Sequence, residues 1–143
     1  MTHVPATGSE PLAPPLPRPT PTSAPYWEGL AAGRLRLQHC QTCAAWIHYP
    51  RVRCPACFGT DLAWEAVEAS GVLYTFTVAV RPTAPMFAGS VPQVIGVVEL
   101  PVGVRITTTI ETDDPDGLRV GMAMKGVFDT SERVALLRFT PDR

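Results

Sequence analysis

Cys40, Cys43, Cys54 and Cys57 are all the cysteines of this chain, and they fall within eighteen residues, CQTCAAWIHYPRVRCPAC. The spacing is Cys-x2-Cys, ten residues, Cys-x2-Cys. Each Cys-x2-Cys turn can aim two sulfurs at one point, and two such knuckles joined by a hairpin give four thiolates in a tetrahedron. That is the arrangement Zn²⁺ takes in structural sites, and a closed shell of four sulfurs leaves no position for a reactive water. The metal is therefore expected to be structural. Iron in the same four-sulfur geometry, as in rubredoxin, is the chemical alternative that ligand type alone does not separate. Two disulfides would need an oxidising compartment, and a redox dithiol would need one pair beside a βαβ unit. Neither context is evident. His39 and His48 flank the knuckles, where they are expected on the hairpin surface or hydrogen-bonded behind the sulfurs, not as ligands.

The same stretch is locally basic. Between Glu28 and Asp61 there is no acid, while Arg34, Arg36, Arg51 and Arg53 contribute four positive charges. Two readings of these arginines are compatible. They offset the formal charge of about −2 on a zinc held by four thiolates, or some of them face outward to hold phosphates through the planar guanidinium fork.

The elements that would carry these residues follow from pattern. Eight of the 16 prolines lie in the first 25 residues, so 1–24 is expected to be an extended, disordered linker or tail, with the chain beginning inside a longer polypeptide. A short helix is expected from Ala24 or Pro25, stopped at Gly33, with Tyr26, Trp27 and Leu30 on one apolar face. Residues 25–61 are thus a helix plus a four-cysteine zinc ribbon, in which LRLQH and WIHY form a small hairpin.

From residue 62 to 143 the chain reads as strands: LAWEAVE, VLYTFTVAV, QVIGVVEL, VRITTTIE, MKGVFD and VALLRF. In the second, Val72, Tyr74, Phe76, Val78 and Val80 alternate as one face, which suggests a core; QVIGVVEL is apolar on both faces, as in a doubly buried strand. About six short strands and no helix predict a mainly β protein whose second part is a small OB-fold β-barrel, with a β-sandwich as the alternative.

Composition restricts function. Hydrophobic residues at 45% and charged residues at 17% are those of an ordinary globular protein. There is no secretory signal and no apolar run long enough for a membrane helix, so a cytoplasmic protein without membrane contact is expected. The net charge is −1, and residues 62–143 carry seven bases against ten acids. That sign disfavours nucleic acid, although ribbons and OB barrels both occur in single-stranded nucleic-acid-binding modules. No phosphate loop, HExxH motif or Ser-His-Asp set is present, and Glu99 is expected to be a solvent-facing strand-end acid.

The helix with YWEGLAAGRLRLQHC, the four-cysteine ribbon, and the strands GVLYTFTVAVRP, VPQVIGVVELPVGVRI and GLRVGMAMKGVF together resemble the DUF35 family. In that family a rubredoxin-like zinc ribbon precedes an OB-fold. The resemblance runs from Tyr26 to Pro141; Pro101 and Val102 stand where the family often has an acid. It implies a non-catalytic accessory subunit of a thiolase-fold enzyme acting on acyl-CoA thioesters, with acyl-CoA as a candidate ligand. One such arrangement pairs a DUF35 domain, preceded by a MaoC-like hydratase domain, with a lipid-transfer-protein-like aldolase that removes steroid side-chain carbons in actinobacterial steroid catabolism. Another bridges acetoacetyl-CoA thiolase and hydroxymethylglutaryl-CoA synthase. Within that expectation Tyr26, Trp27 and Leu30 on the helix, and Met86 and Phe87 in the Pro/Gly-rich loop 81–92, are candidate partner or substrate contacts. Arg34, Arg36, Arg51 and Arg53 are candidate CoA-phosphate contacts.

Overall fold

The computed structural model describes residues 12–143. The expectation for the proline-rich tail falls partly on residues outside that range. Within it, residues 12–20 form neither helix nor strand, and Leu16 and Pro17 are half-buried.

Helix α1 spans Ala24–Ala31. Pro25 sits in its first turn, where the missing N–H costs nothing. It ends at Gly33, whose φ of +70° lets Arg34 N–H reach back to the Gly29 carbonyl at 2.8 Å. A left-handed glycine closing the last turn in this way is a Schellman stop. Three strands follow: β1 (Leu35–Cys40), β2 (Trp46–Ile47) and β3 (Leu62–Val67). They form a sheet of order β2-β1-β3, antiparallel throughout.

The remaining strands are β4 (Ser70–Ala79), β5 (Gln93–Glu99), β6 (Arg105–Ile110), β7 (Ala123–Asp129) and β8 (Leu136–Pro141). They close into a five-stranded barrel of order β4-β5-β6-β8-β7. The β6–β8 seam is parallel and thin. It has one ladder pair, Ile110 with Phe139, reinforced by Thr108 Oγ1 donating to the Leu137 carbonyl at 2.6 Å. This is the expected OB-type barrel, with three differences from the strand-by-strand reading.

LAWEAVE is not a barrel strand. Residues 62–67 pair with β1 in full register, from Cys40 with Leu62 to Leu35 with Val67. The strand completes the ribbon's sheet, because the chain leaving the second knuckle must run back beside β1 before it can enter the barrel. The second difference lies in β4. A register shift between Leu73 and Thr75 inserts Tyr74 as an extra residue. A bulge of this kind reverses which face later residues occupy. Leu73 points inward at 0% exposure, and Phe76 and Val78 pack inward after the bulge, while Val72 and Tyr74 stay exposed. On β5, Val94 and Val98 are buried but Ile95 is exposed, so that strand is buried on one face, not two.

A single apolar cluster runs through both parts. Leu73, Val98, Ile106, Met124 and Phe139 fill the barrel, and Tyr26 and Leu30 of α1 with Leu35 and Leu37 of β1 belong to the same cluster. Gly96 of β5 faces this interior. A Cβ there would meet Ile110 Cγ1 at 2.6 Å and Leu73 Cδ1 at 3.2 Å. Gly96→Val should therefore destabilise the chain by about 1–3 kcal/mol through overpacking. Chemical denaturation would check this, with an unchanged midpoint counting against the packing described.

Candidate metal centre and contact surfaces

Cys40 closes β1 and Cys54 lies beyond the loop that follows β2; both are buried, while Cys43 is exposed and Cys57 lies at the second turn. In each knuckle the chain folds back on its first cysteine. Ala44 N–H donates to the Cys40 carbonyl at 2.9 Å and Phe58 N–H to the Cys54 carbonyl at 2.8 Å. The four sulfurs all lie within 4.8 Å of one another, with Cys40–Cys57 and Cys43–Cys54 each at 3.6 Å. A zinc–sulfur bond of about 2.3 Å requires tetrahedral edges of about 3.8 Å. The sulfur set thus fits a structural zinc centre made of Cys40, Cys43, Cys54 and Cys57. Backbone N–H groups, foremost that of Cys43, hold the Cys40 thiol down at about 6, against an ordinary value of 9.0.

Gln38 carries no sequence signal yet anchors the loop between the knuckles. It is buried on β1, its Nε2 donates to the Arg51 carbonyl at 2.9 Å, and its Oε1 accepts from Arg51 N–H at 2.7 Å. His39 stacks on Trp46 with centroids 4.2 Å apart. Its Nδ1 lies 3.0 Å from Glu65 Oε2, an acid supplied by the neighbouring strand that sequence adjacency does not reveal. Neither His39 nor His48 joins the sulfur set among the described residues.

The four arginines do not converge. Arg51 and Arg53 are exposed on the knuckle loop. Arg34 and Arg36 lie at the opposite end of β1 beside α1, where the Arg36 stem covers Gly29. None of the four lines either cleft described next.

Those clefts flank the β6–β8 seam and share Thr109, Leu136 and Arg138. One, of about 240 Å³, lies between Tyr26, Trp27, His48, Tyr49 and the outer side of β6. The other, of about 560 Å³, lies between Pro14, Pro15, Leu16 and Phe87. Phe87 and Met86 are half-buried in a 3₁₀ turn, Pro85–Ser90. On the helix, Tyr26 and Leu30 are buried in the cluster that β1 and the barrel share, so neither is open to a partner. Trp27 remains half-buried, its Nε1 donating to Ser23 Oγ at 3.1 Å.

Tyr74, expected in the core, is exposed because of the bulge. Its ring is already covered by the Arg105 guanidinium at 3.7 Å, and Arg105 is paired with Glu99 at 2.7 Å. Glu99 is thus a strand-end ion-pair partner.

Burial pushes the His48 imidazole down from 6.5 to about 4. Between those values the unfolded chain binds a proton that the folded chain refuses. Stability is therefore lost as pH falls from about 6.5 to about 4 and levels off below. His48→Gln should flatten this limb, by up to about 3 kcal/mol, in denaturation curves taken across that range. Cys54→Ser should drop bound zinc below one per chain and lower the melting temperature, which metal analysis and calorimetry would register.

Residues 27–63 match the family model of the ChsH2 rubredoxin-like zinc ribbon domain, and residues 64–129 that of the ChsH2 C-terminal OB-fold domain. A probable enoyl-CoA hydratase alpha subunit of Thermomonospora curvata is 35% identical over 111 residues, 73% of this chain and 34% of its own length. The 3-oxo-4,17-pregnadiene-20-carboxyl-CoA hydratase alpha subunit of Mycobacterium tuberculosis is 27% identical over 120 residues, 82% of this chain and 37% of its own. The chain thus spans about a third of the length of these two subunits. A DUF35 domain-containing scaffold protein of Methanothermobacter thermautotrophicus is 30% identical over 90 residues, 62% of this chain and 67% of its own. Among solved structures, that of an Ltp2–ChsH2(DUF35) aldolase superposes with a TM-score of 0.77 at 28% identity, covering 88% of this chain and 98% of the matched one.

Proposed function

The chain belongs to the DUF35 family, and from that membership we propose that it serves as a non-catalytic accessory subunit of a thiolase-fold enzyme acting on acyl-CoA thioesters. The observation that carries this reading is the likeness, over 88% of this chain and 98% of the matched one, to an Ltp2–ChsH2(DUF35) aldolase. The site chemistry agrees. Four thiolates around a structural metal offer no open coordination position. Among the described residues His39 has its ring nitrogens turned to Glu65 and the Ala44 carbonyl, and His48 packs against Tyr26 and Tyr49.

The partner in this reading is a lipid-transfer-protein-like enzyme, with which the chain forms a hetero-oligomer. The reaction is retro-aldol cleavage of a steroid side-chain CoA thioester. The hydratase names of two relatives support a steroid acyl-CoA and a MaoC-like hydratase domain, fused or associated. In the reaction itself the bond broken lies in the substrate held by the thiolase-fold subunit. This chain's residues shape the approach to it. Trp27 and Phe87 border the seam clefts, with Met86 beside Phe87 in the 3₁₀ turn, and all three are suited to apolar contact with the partner and with an acyl group. Of the four arginines Arg34, Arg51 and Arg53 are exposed, as contact with a CoA phosphate requires.

A second reading, a scaffold joining a thiolase to a hydroxymethylglutaryl-CoA synthase, is favoured by the archaeal relative described as a scaffold protein. Single-stranded nucleic acid is disfavoured by the acidic balance of residues 62–143 and by the occupied face of Tyr74.

The test is reconstitution with a purified lipid-transfer-protein-like subunit. A stable complex that releases the cleaved side chain from a β-hydroxyacyl-CoA steroid, where neither protein alone does so, is the expected result. Trp27→Ala or Phe87→Ala should weaken association roughly tenfold, about 1.4 kcal/mol. Unchanged affinity for both variants would count against the seam as a contact surface.

A further inference from the structure

The two knuckles make the same turn with different side chains. Immediately after the second cysteine of each, the backbone enters the left-handed region, at Ala44 with φ of 62° and at Phe58 with φ of 61°. A Cβ is disfavoured there, and a bulky side chain is uncommon. The first knuckle meets this constraint with alanine. The second places an aromatic ring at the equivalent position, so the turn itself does not call for one.

The ring is not repaid by burial. Phe58 is 71% exposed and belongs to neither apolar cluster. Its mount is nevertheless rigid. Phe58 N–H donates to the Cys54 carbonyl at 2.8 Å, its own carbonyl accepts from Arg53 Nη1 at 3.3 Å, and Gly59 N–H points at Cys57 Sγ at 3.4 Å. On the same loop Val52 is 72% exposed. The Gln38 clamp fixes the backbone at Arg51, next to it. Arg51 and Arg53 are exposed beside these apolar groups, in the stretch that has no acid from Glu28 to Asp61. Among the described residues nothing covers the tip.

An exposed phenylalanine in a disfavoured backbone conformation lowers the stability of the free chain. Aromatic and arginine side chains on a rigid mount are the composition of interface hot spots. We propose that the second-knuckle tip, Phe58 with Val52 and flanked by Arg51 and Arg53, docks into an apolar socket with an acidic rim on the thiolase-fold subunit. This rests on the accessory reading above and adds a contact separate from the β6–β8 seam. Basic and aromatic groups together also suit single-stranded nucleic acid. The net charge of −1 for the chain and the acidic barrel favour a protein.

The experiment is calorimetric titration of the zinc-loaded chain with the purified thiolase-fold subunit, for wild type, Phe58→Gly, Phe58→Asn and the double variant R51E/R53E. Glycine and asparagine are the residues this backbone region accepts best. Both Phe58 variants should keep one zinc per chain and melt no lower than wild type, while binding at least tenfold more weakly. R51E/R53E should also bind more weakly, and wild-type affinity should fall as salt is raised. If wild type itself does not bind the subunit, the accessory reading fails and the docking site fails with it. If wild type binds and the Phe58 variants bind equally well, the docking site alone is overturned. Tight binding of a single-stranded oligonucleotide that Phe58→Gly abolishes, with subunit affinity unchanged, would overturn it in favour of nucleic acid.

Discussion

Four sulfurs that must meet at one metal set the geometry of the ribbon. Residues 40–61 have almost no core of their own: the local apolar cluster is Cys40, Ile47 and Cys54, with Ala45 and Leu62 against it. Burial on that scale stabilises by only a few kcal/mol. A structural zinc bound by thiolates contributes on the order of 10 kcal/mol to such a fold. The metal therefore decides whether the knuckles exist, and with them the positions of Arg51, Arg53 and Phe58.

The sheet behind the knuckles is stabilised differently. Leu35 and Leu37 of β1 enter the same cluster as Tyr26, Leu30 and the barrel interior. β1 thus has two supports, a cysteine at its end and a core beneath its start, and it couples the metal centre to the barrel through one rigid strand. The helix gains its burial from β1 and the barrel together, which makes Tyr26 and Leu30 structural residues and leaves Trp27 at the margin. The resulting body presents two kinds of surface, an aromatic-lined seam where β6 and β8 barely pair and a basic tip bearing exposed apolar groups.

What the sequence revealed follows from how local each signal is. The metal centre was legible because its four ligands come from two short turns, and the helix because Pro25 and Gly33 mark its ends within ten residues. The OB-type barrel was legible from the number and spacing of strands. Partner strands were not, since nothing in LAWEAVE says that it pairs with β1 and not with the barrel. The outward turn of Tyr74 depends on one inserted residue, which strict alternation cannot register. His39 and Glu65 meet only through the β1–β3 register, and Gln38 reads as an ordinary polar strand residue. Phe58 was hidden by its neighbour. In CFG the glycine looks like the left-handed residue, but what Gly59 does is leave room for Cys57 Sγ and Thr42 Oγ1, each 3.3 Å from where a Cβ would stand. The left-handed turn falls on the phenylalanine.

The most direct test of the claim that metal, not core, holds the knuckles is amide hydrogen exchange on the chain with and without its zinc. Chelation should release the amides of Cys40, Ala44, Cys54 and Phe58, whose hydrogen bonds close the two turns. Protection along β4–β8 and in the first residues of β1 should persist, because the shared core remains. Retained protection at all four knuckle amides after zinc removal would contradict the account, as would collapse of the barrel along with them.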